Sequence, residues 1–455
     1  MKSMFRSVVA ALAFAALSLP VVAQQNSFDT GTIPGDHILI PDGELRAIVF
    51  LISDAGGWGG DEQAEAEALT AKGAAVVGID FPQYLKALRA DDGSCVYMIS
   101  DVEALAHQVQ RSAAATSYKP PIVAGIGEGG ALALAMISQS PAATLGEAIA
   151  VDPLAGIPLE KQLCTPASKE TIDGRTVYGF VDGELPAPVS IRFSGTAPAA
   201  GRNHATALAT GHPDIDIGDS GKSAKQTLAQ VLEDRIDASG PDDDPLGLPI
   251  TVLDSEPKFD TMAIIYSGDG GWRDIDRQIG GVLQAHGIPV IGIDSLRYFW
   301  SERQPQETAD DLARIIDTYR MKWGAKHVLL VGYSFGADVL PRTYTLLSQK
   351  DKARVPQITL LALSRQVDYE VSVEGWLGVA GAAQSGDPVE DIGKIDPRLV
   401  QCIYGKEEDQ DPCPMLAAKG VESIGIDGGH HFDGDYEAIA GRIIQSLRVR
   451  LAKSQ

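Results

Sequence analysis

Short runs of uninterrupted apolar residues recur along this chain, at 48–52, 122–126, 263–266 and 327–331. Each leads into a Gly-bearing turn, and helical stretches follow. Strands that read as continuous apolar runs, rather than as an in/out alternation, are covered on both faces. The pattern therefore predicts mainly parallel sheets enclosed by helices, an α/β fold.

The pattern also repeats. Residues 48–58 resemble 263–272 at an offset of 214: Gly73 matches Gly287, Gly78-Ile79-Asp80 matches Gly292-Ile293-Asp294, and Tyr84 matches Tyr298. Two halves of about 210 residues are each large enough for a core of their own. The seam falls at 238–246, where 239–245 is a run of Ser, Gly, Pro and Asp that has nothing to bury. The expected organisation is a leader at 1–23, a first domain at 24–237, a linker at 238–246 and a second domain at 247–455. Helices over 224–236 and 436–451 are expected to close the two halves.

Gly332-Tyr333-Ser334-Phe335-Gly336 changes what the pattern means. It has the form G-x-S-x-G at the end of an apolar run and before a helical stretch, the context of a nucleophile elbow. A serine hydroxyl needs a base, and the base needs an orienting acid, in the chain order Ser, Asp or Glu, His. Both follow, just past strand-like runs: 406–411 is an acidic turn after 400–405, and Asp427-Gly428-Gly429-His430-His431-Phe432 follows 423–426. We expect Ser334 as nucleophile, His430 as base with His431 as the alternative, and Asp409 as acid with Glu408 as the alternative. The oxyanion donors expected are the N–H groups of Phe335 and of Asp269, in the Gly268-Asp269-Gly270-Gly271 loop, where Gly270 lets backbone approach the substrate; such donors contribute ~3 kcal/mol each. Asp294, Trp272 and Tyr333 are candidates for contact with substrate.

The first half lacks this chemistry. Gly127 stands where Ser334 stands, and Gly221-Lys222 where His430-His431 stand. The expected architecture is thus two tandem α/β-hydrolase-like domains with mainly parallel sheets, the first degenerate and the second catalytic.

Charge and cysteines narrow the setting. With 38 Lys+Arg against 61 Asp+Glu the net charge is −23, which disfavours nucleic acid as a partner. Lys2 and Arg6 precede an apolar stretch at 8–19 and small residues at 21–23, the pattern of an export signal, and no later run is long enough to span a membrane. Four cysteines suit an oxidising compartment. Cys402 and Cys413 bracket one loop, which would leave Cys95 for Cys164, but three connectivities are possible and the sequence does not choose among them. No metal-ligand spacing stands out, and no cofactor is expected.

The 267–272 loop, the 332–338 elbow and the 428–432 turn together resemble the AcvB/VirJ family of exported bacterial virulence-associated proteins, in the longer two-half AcvB form. This resemblance implies a periplasmic α/β-hydrolase acting on aminoacylated phosphatidylglycerol, with lysine or alanine as the group removed. It also implies a link to type IV secretion, so an adaptor role and a general esterase activity stand as alternatives.

Overall fold

A computed structural model of the protein describes residues 27–239, 246–371 and 385–453. The expected leader at 1–23 and the central linker residues 240–245 lie outside them.

The first half forms β1 (His37–Leu39), β2 (Ala47–Ile52), β3 (Ala74–Ile79), β4 (Ile122–Ile126), β5 (Glu147–Val151), a separate hairpin β6 (Lys169–Ile172) and β7 (Arg175–Tyr178), then β8 (Val189–Phe193) and β9 (Asp216–Asp219). The second forms β10 (Ile250–Leu253), β11 (Thr261–Tyr266), β12 (Val290–Ile293), β13 (His327–Tyr333), β14 (Gln357–Leu361), β15 (Val400–Gly405) and β16 (Glu422–Ile426). Each half has a seven-stranded sheet, ordered β1-β3-β2-β4-β5-β8-β9 and β10-β12-β11-β13-β14-β15-β16. The two orders are the same, and in each sheet the first strand runs antiparallel to its neighbour while the other pairings are parallel.

Strand residues divide between two cores, as a side-chain period of two requires. Ile48, Phe50 and Ile52 of β2 face one core while Ala47, Val49 and Leu51 face the other. In β11 the division is Met262, Ile264 and Tyr266 against Ala263 and Ile265. This burial on both faces is why the strands read as continuous apolar runs. The closing helices sit alike. Leu228, Leu232 and Ile236 of Ala224–Ala238 pack beneath the first sheet, and Ile439, Ile443 and Leu447 of Tyr436–Lys453 beneath the second. The fold thus brings the ends of β11, β13, β15 and β16 to one edge, where open parallel sheets place their sites.

Candidate active site

Ser334 sits between β13 and the Phe335–Leu346 helix with φ 50° and ψ −119°. This left-handed backbone is strained for a residue with a Cβ and is held by its surroundings. Its N–H donates to Leu361 O at 2.9 Å, tying the turn to β14. The flanking glycines are obligatory. A Cβ on Gly332 would strike Gly336, and one on Gly336 would strike Tyr266 O and Ser267 O.

His430 reaches this serine from the turn after β16: its Nε2 lies 2.8 Å from Ser334 Oγ. Its Nδ1 lies 2.8 Å from Glu408 Oε1. With its proton on Nδ1 facing this carboxylate, the imidazole would have Nε2 free to accept from the serine hydroxyl. The expected acid is corrected here. Glu408 N–H closes a tight turn onto Gly405 O at 3.0 Å, which aims Glu408 inward and leaves Asp409, one residue later, exposed. The same packing locks the two turns together, since Glu407 N–H donates to Gly428 O at 3.1 Å and a Cβ on Gly405 would strike Gly428 and Gly429. His431 turns elsewhere, its Nδ1 3.0 Å from Tyr333 Oη.

The two expected disulfides are present, Cys402–Cys413 and Cys95–Cys164. The first tethers the acid loop beside β15. Within that loop Asp411 accepts from Cys413 N–H at 2.7 Å. Burial and the neighbouring Glu408 push its carboxyl up to about 6. Cys402, Asp411 and Cys413 cluster closely, but the two sulfurs are bonded to each other and offer no thiolate to a metal.

The first half shows where the oxyanion would lie. Gly127 keeps the elbow conformation, φ 56° and ψ −112°, with no side chain to use it. The N–H that follows it, of Glu128, donates to Asp54 Oδ1 at 2.8 Å. Glu128 corresponds to Phe335, and Asp54 to Gly268. In the first half a carboxylate thus takes the N–H that follows the elbow, whereas the second half has glycine at the matching position. Phe335 N–H opens its helix and has no acceptor within it. Gly268 is oriented by Asp276, a buried carboxylate that accepts from its N–H and whose carboxyl burial holds well above the usual range. A side chain at 268 would meet the Tyr333 ring at 3.2 Å and Ser334 Cβ at 3.7 Å, a fit needing only small adjustment. We expect Gly268→Asp to fold, to place its carboxylate on Phe335 N–H, and to lower ester turnover at least about a hundredfold. Near-normal turnover by a folded G268D chain would remove Phe335 from the oxyanion site.

Three expected substrate contacts are used for other ends. Trp272 is buried, its ring filling the space over Gly292 and Gly280. Asp294 accepts from Arg297 N–H at 3.0 Å and from Trp272 N–H, bracing the 268–272 loop; burial raises its carboxyl above the usual range. Asp80 does the same in the first half, accepting from Trp58 N–H at 2.8 Å and Gln83 N–H at 2.9 Å. Tyr333 Oη steadies the histidine turn, 3.3 Å from His430 O as well as bonding His431. Asp269 and Gly270 stay half-buried in the loop above Ser334. Asp338 joins the site without having stood out in the sequence. It ties the elbow helix to the turn after β14 by accepting from Ser364 N–H and Oγ, at 2.8 and 2.9 Å. Its spacing of four from Ser334 was the available signal.

Residues 260–451 match the family model described as bacterial virulence protein (VirJ). The second half of the chain is thus similar to the VirJ family. The VirJ match takes in Ser334, Glu408 and His430 and leaves the first half outside it. Similar solved structures include esterase PE8, 13% identical, covering 44% of this chain and 98% of that one with a TM-score of 0.29. They also include Est1E from Butyrivibrio proteoclasticus, 11% identical, covering 45% and 94% with a TM-score of 0.32. A third is the esterase domain of a Rhodothermus marinus protein, 17% identical, covering 43% and 89% with a TM-score of 0.27. No curated relative matches the sequence. The VirJ-like half and the half before it are two tandem α/β domains with the same strand order. Among the described residues no helix is long and apolar enough to cross a membrane.

Proposed function

We propose that this protein is an exported, periplasmic serine hydrolase that cleaves the aminoacyl ester of aminoacylated phosphatidylglycerol. The observation that carries the reading is the continuous hydrogen-bonded chain from Ser334 Oγ through His430 to Glu408. Ser334 attacks the aminoacyl carbonyl as His430 Nε2 takes its proton, and the N–H groups of Phe335 and Asp269 receive the oxyanion. The imidazolium, steadied by Glu408, returns the proton to the departing glycerol oxygen of the lipid. Water, activated by His430 in turn, then frees the amino acid from Ser334.

The charge of the site supports an aminoacyl substrate. Asp411 lies in the field of His430 and Asp269 in that of Tyr333, and carboxylates so placed complement the α-ammonium of the ester. The choice of lipid rests on the family resemblance.

The test is direct. Purified full-length protein with vesicles containing lysyl- or alanyl-phosphatidylglycerol should release free amino acid, while a fluorophosphonate probe should label Ser334. Labelling without amino-acid release would make the protein an esterase for other substrates. Absence of labelling would leave an adaptor of a secretion system, a role for which the silent first half already speaks.

A further inference from the structure

All the residues of the proposed chemistry belong to the second half, yet the first half grips the loops on either side of Ser334. The grip is one face of the Ile99–Ser112 helix, on which Glu103, His107 and Arg111 recur at four-residue spacing. Glu103 and His107 are buried. Glu103 Oε1 accepts from Arg273 Nη1 at 2.9 Å, and the same nitrogen donates to Thr144 Oγ1 at 2.7 Å. Arg273 directly follows the 268–272 loop. Its guanidinium lies against Gly270, where a Cβ would stand 2.5 Å from Nη2.

At the other end of the helix, the Arg111 guanidinium lies 3.8 Å from the centre of the Trp300 ring. It donates to Trp300 O and, at 2.5 Å, to Val371 O. Trp300 Nε1 returns a bond to Ala115 O at 2.9 Å. The held segment reaches the elbow. Phe299 accepts from Val371 N–H at 2.8 Å and packs edge-to-face on Phe335, ring centres 5.0 Å apart.

We propose that the first half is a positioning element of the active site. Glu103 and Thr144 set the oxyanion loop through Arg273, and Arg111 sets the 299–300 and 369–371 segments that pack against Phe335. The Glu103–Arg273 pair has side-chain exposures of only 7% and 18%. Buried ion pairs add little net adhesion over apolar contact, whereas they fix geometry, so their use at this junction favours orientation over mere docking. The inference rests on Ser334 being the nucleophile.

The experiment uses the full chain, a fluorophosphonate probe and p-nitrophenyl acetate. Glu103→Gln keeps the shape and removes the charge that fixes Arg273. Labelling rate and kcat, normalised to folded protein, should fall roughly tenfold or more with KM little changed, and Glu103→Asp should recover part of the loss. A contact that served only to dock the halves would leave kcat per folded molecule intact. Wild-type kcat and labelling in folded E103Q would overturn the proposal. Should E103Q fail to fold, Thr144→Val, which removes one bond from the same guanidinium, takes its place: a fall in kcat and labelling supports the proposal, and wild-type values overturn it. Absence of labelling in the wild type would instead overturn the reading of Ser334.

Discussion

Ser334→Ala is expected to abolish amino-acid release and fluorophosphonate labelling, a loss of about ten-thousandfold or more, while thermal melting stays unchanged. The hydroxyl bonds to His430 Nε2 and to no core group, so its removal leaves no buried polar atom stranded. Alanine retains the Cβ, and hence the backbone strain at φ 50°, so the elbow keeps its shape. Release at an appreciable fraction of the wild-type rate by the folded variant would end the serine mechanism.

The second large effect separates two neighbours. Glu408→Gln should lower kcat by about a thousandfold or more, because an amide beside Nδ1 no longer compels the tautomer that leaves Nε2 free to accept, and no longer steadies the imidazolium. Asp409→Asn, one residue along, should leave kcat unchanged, its side chain being exposed. Steady-state kinetics of the pair on one ester decide the matter. Equal losses, or a loss confined to D409N, would reverse the assignment.

These two variants mark the limit of what a sequence shows. The elbow and the histidine turn were legible because each depends on glycines that backbone geometry demands, in an order set by the sheet. The acid was not, because Glu408 and Asp409 share one polar turn, and a single hydrogen bond to Gly405 O decides which of them faces inward. The expected substrate contacts show a different limit. Asp294 stands out in the sequence because it lies near a strand end, and the structure gives it bonds to loop N–H groups, while Trp272 packs over Gly292. The duplication held the clue: Trp58 and Asp80 persist in the half without a nucleophile, packing over Gly78 and bracing Trp58 in the same way. Whatever the silent half retains is scaffold. Tyr333 and Gly268 are not retained, since Ile126 and Asp54 replace them. The grip of the Ile99–Ser112 helix could not be read at all, because it joins residues 170 apart through side-chain contacts that no local period encodes.

The carboxylate of Asp54 also bears on the history of the chain. Returning a serine to position 127 would drive its Cβ to 2.5 Å from Asp54 Oδ1. Lifting that clash by removing Asp54 would, by itself, restore no nucleophile. Neither step is useful without the other, and an imidazole would still be missing. Reactivity in the first half would therefore need changes at 54, at 127 and at the place of the imidazole together, which leaves that half free to serve as a partner to its sister.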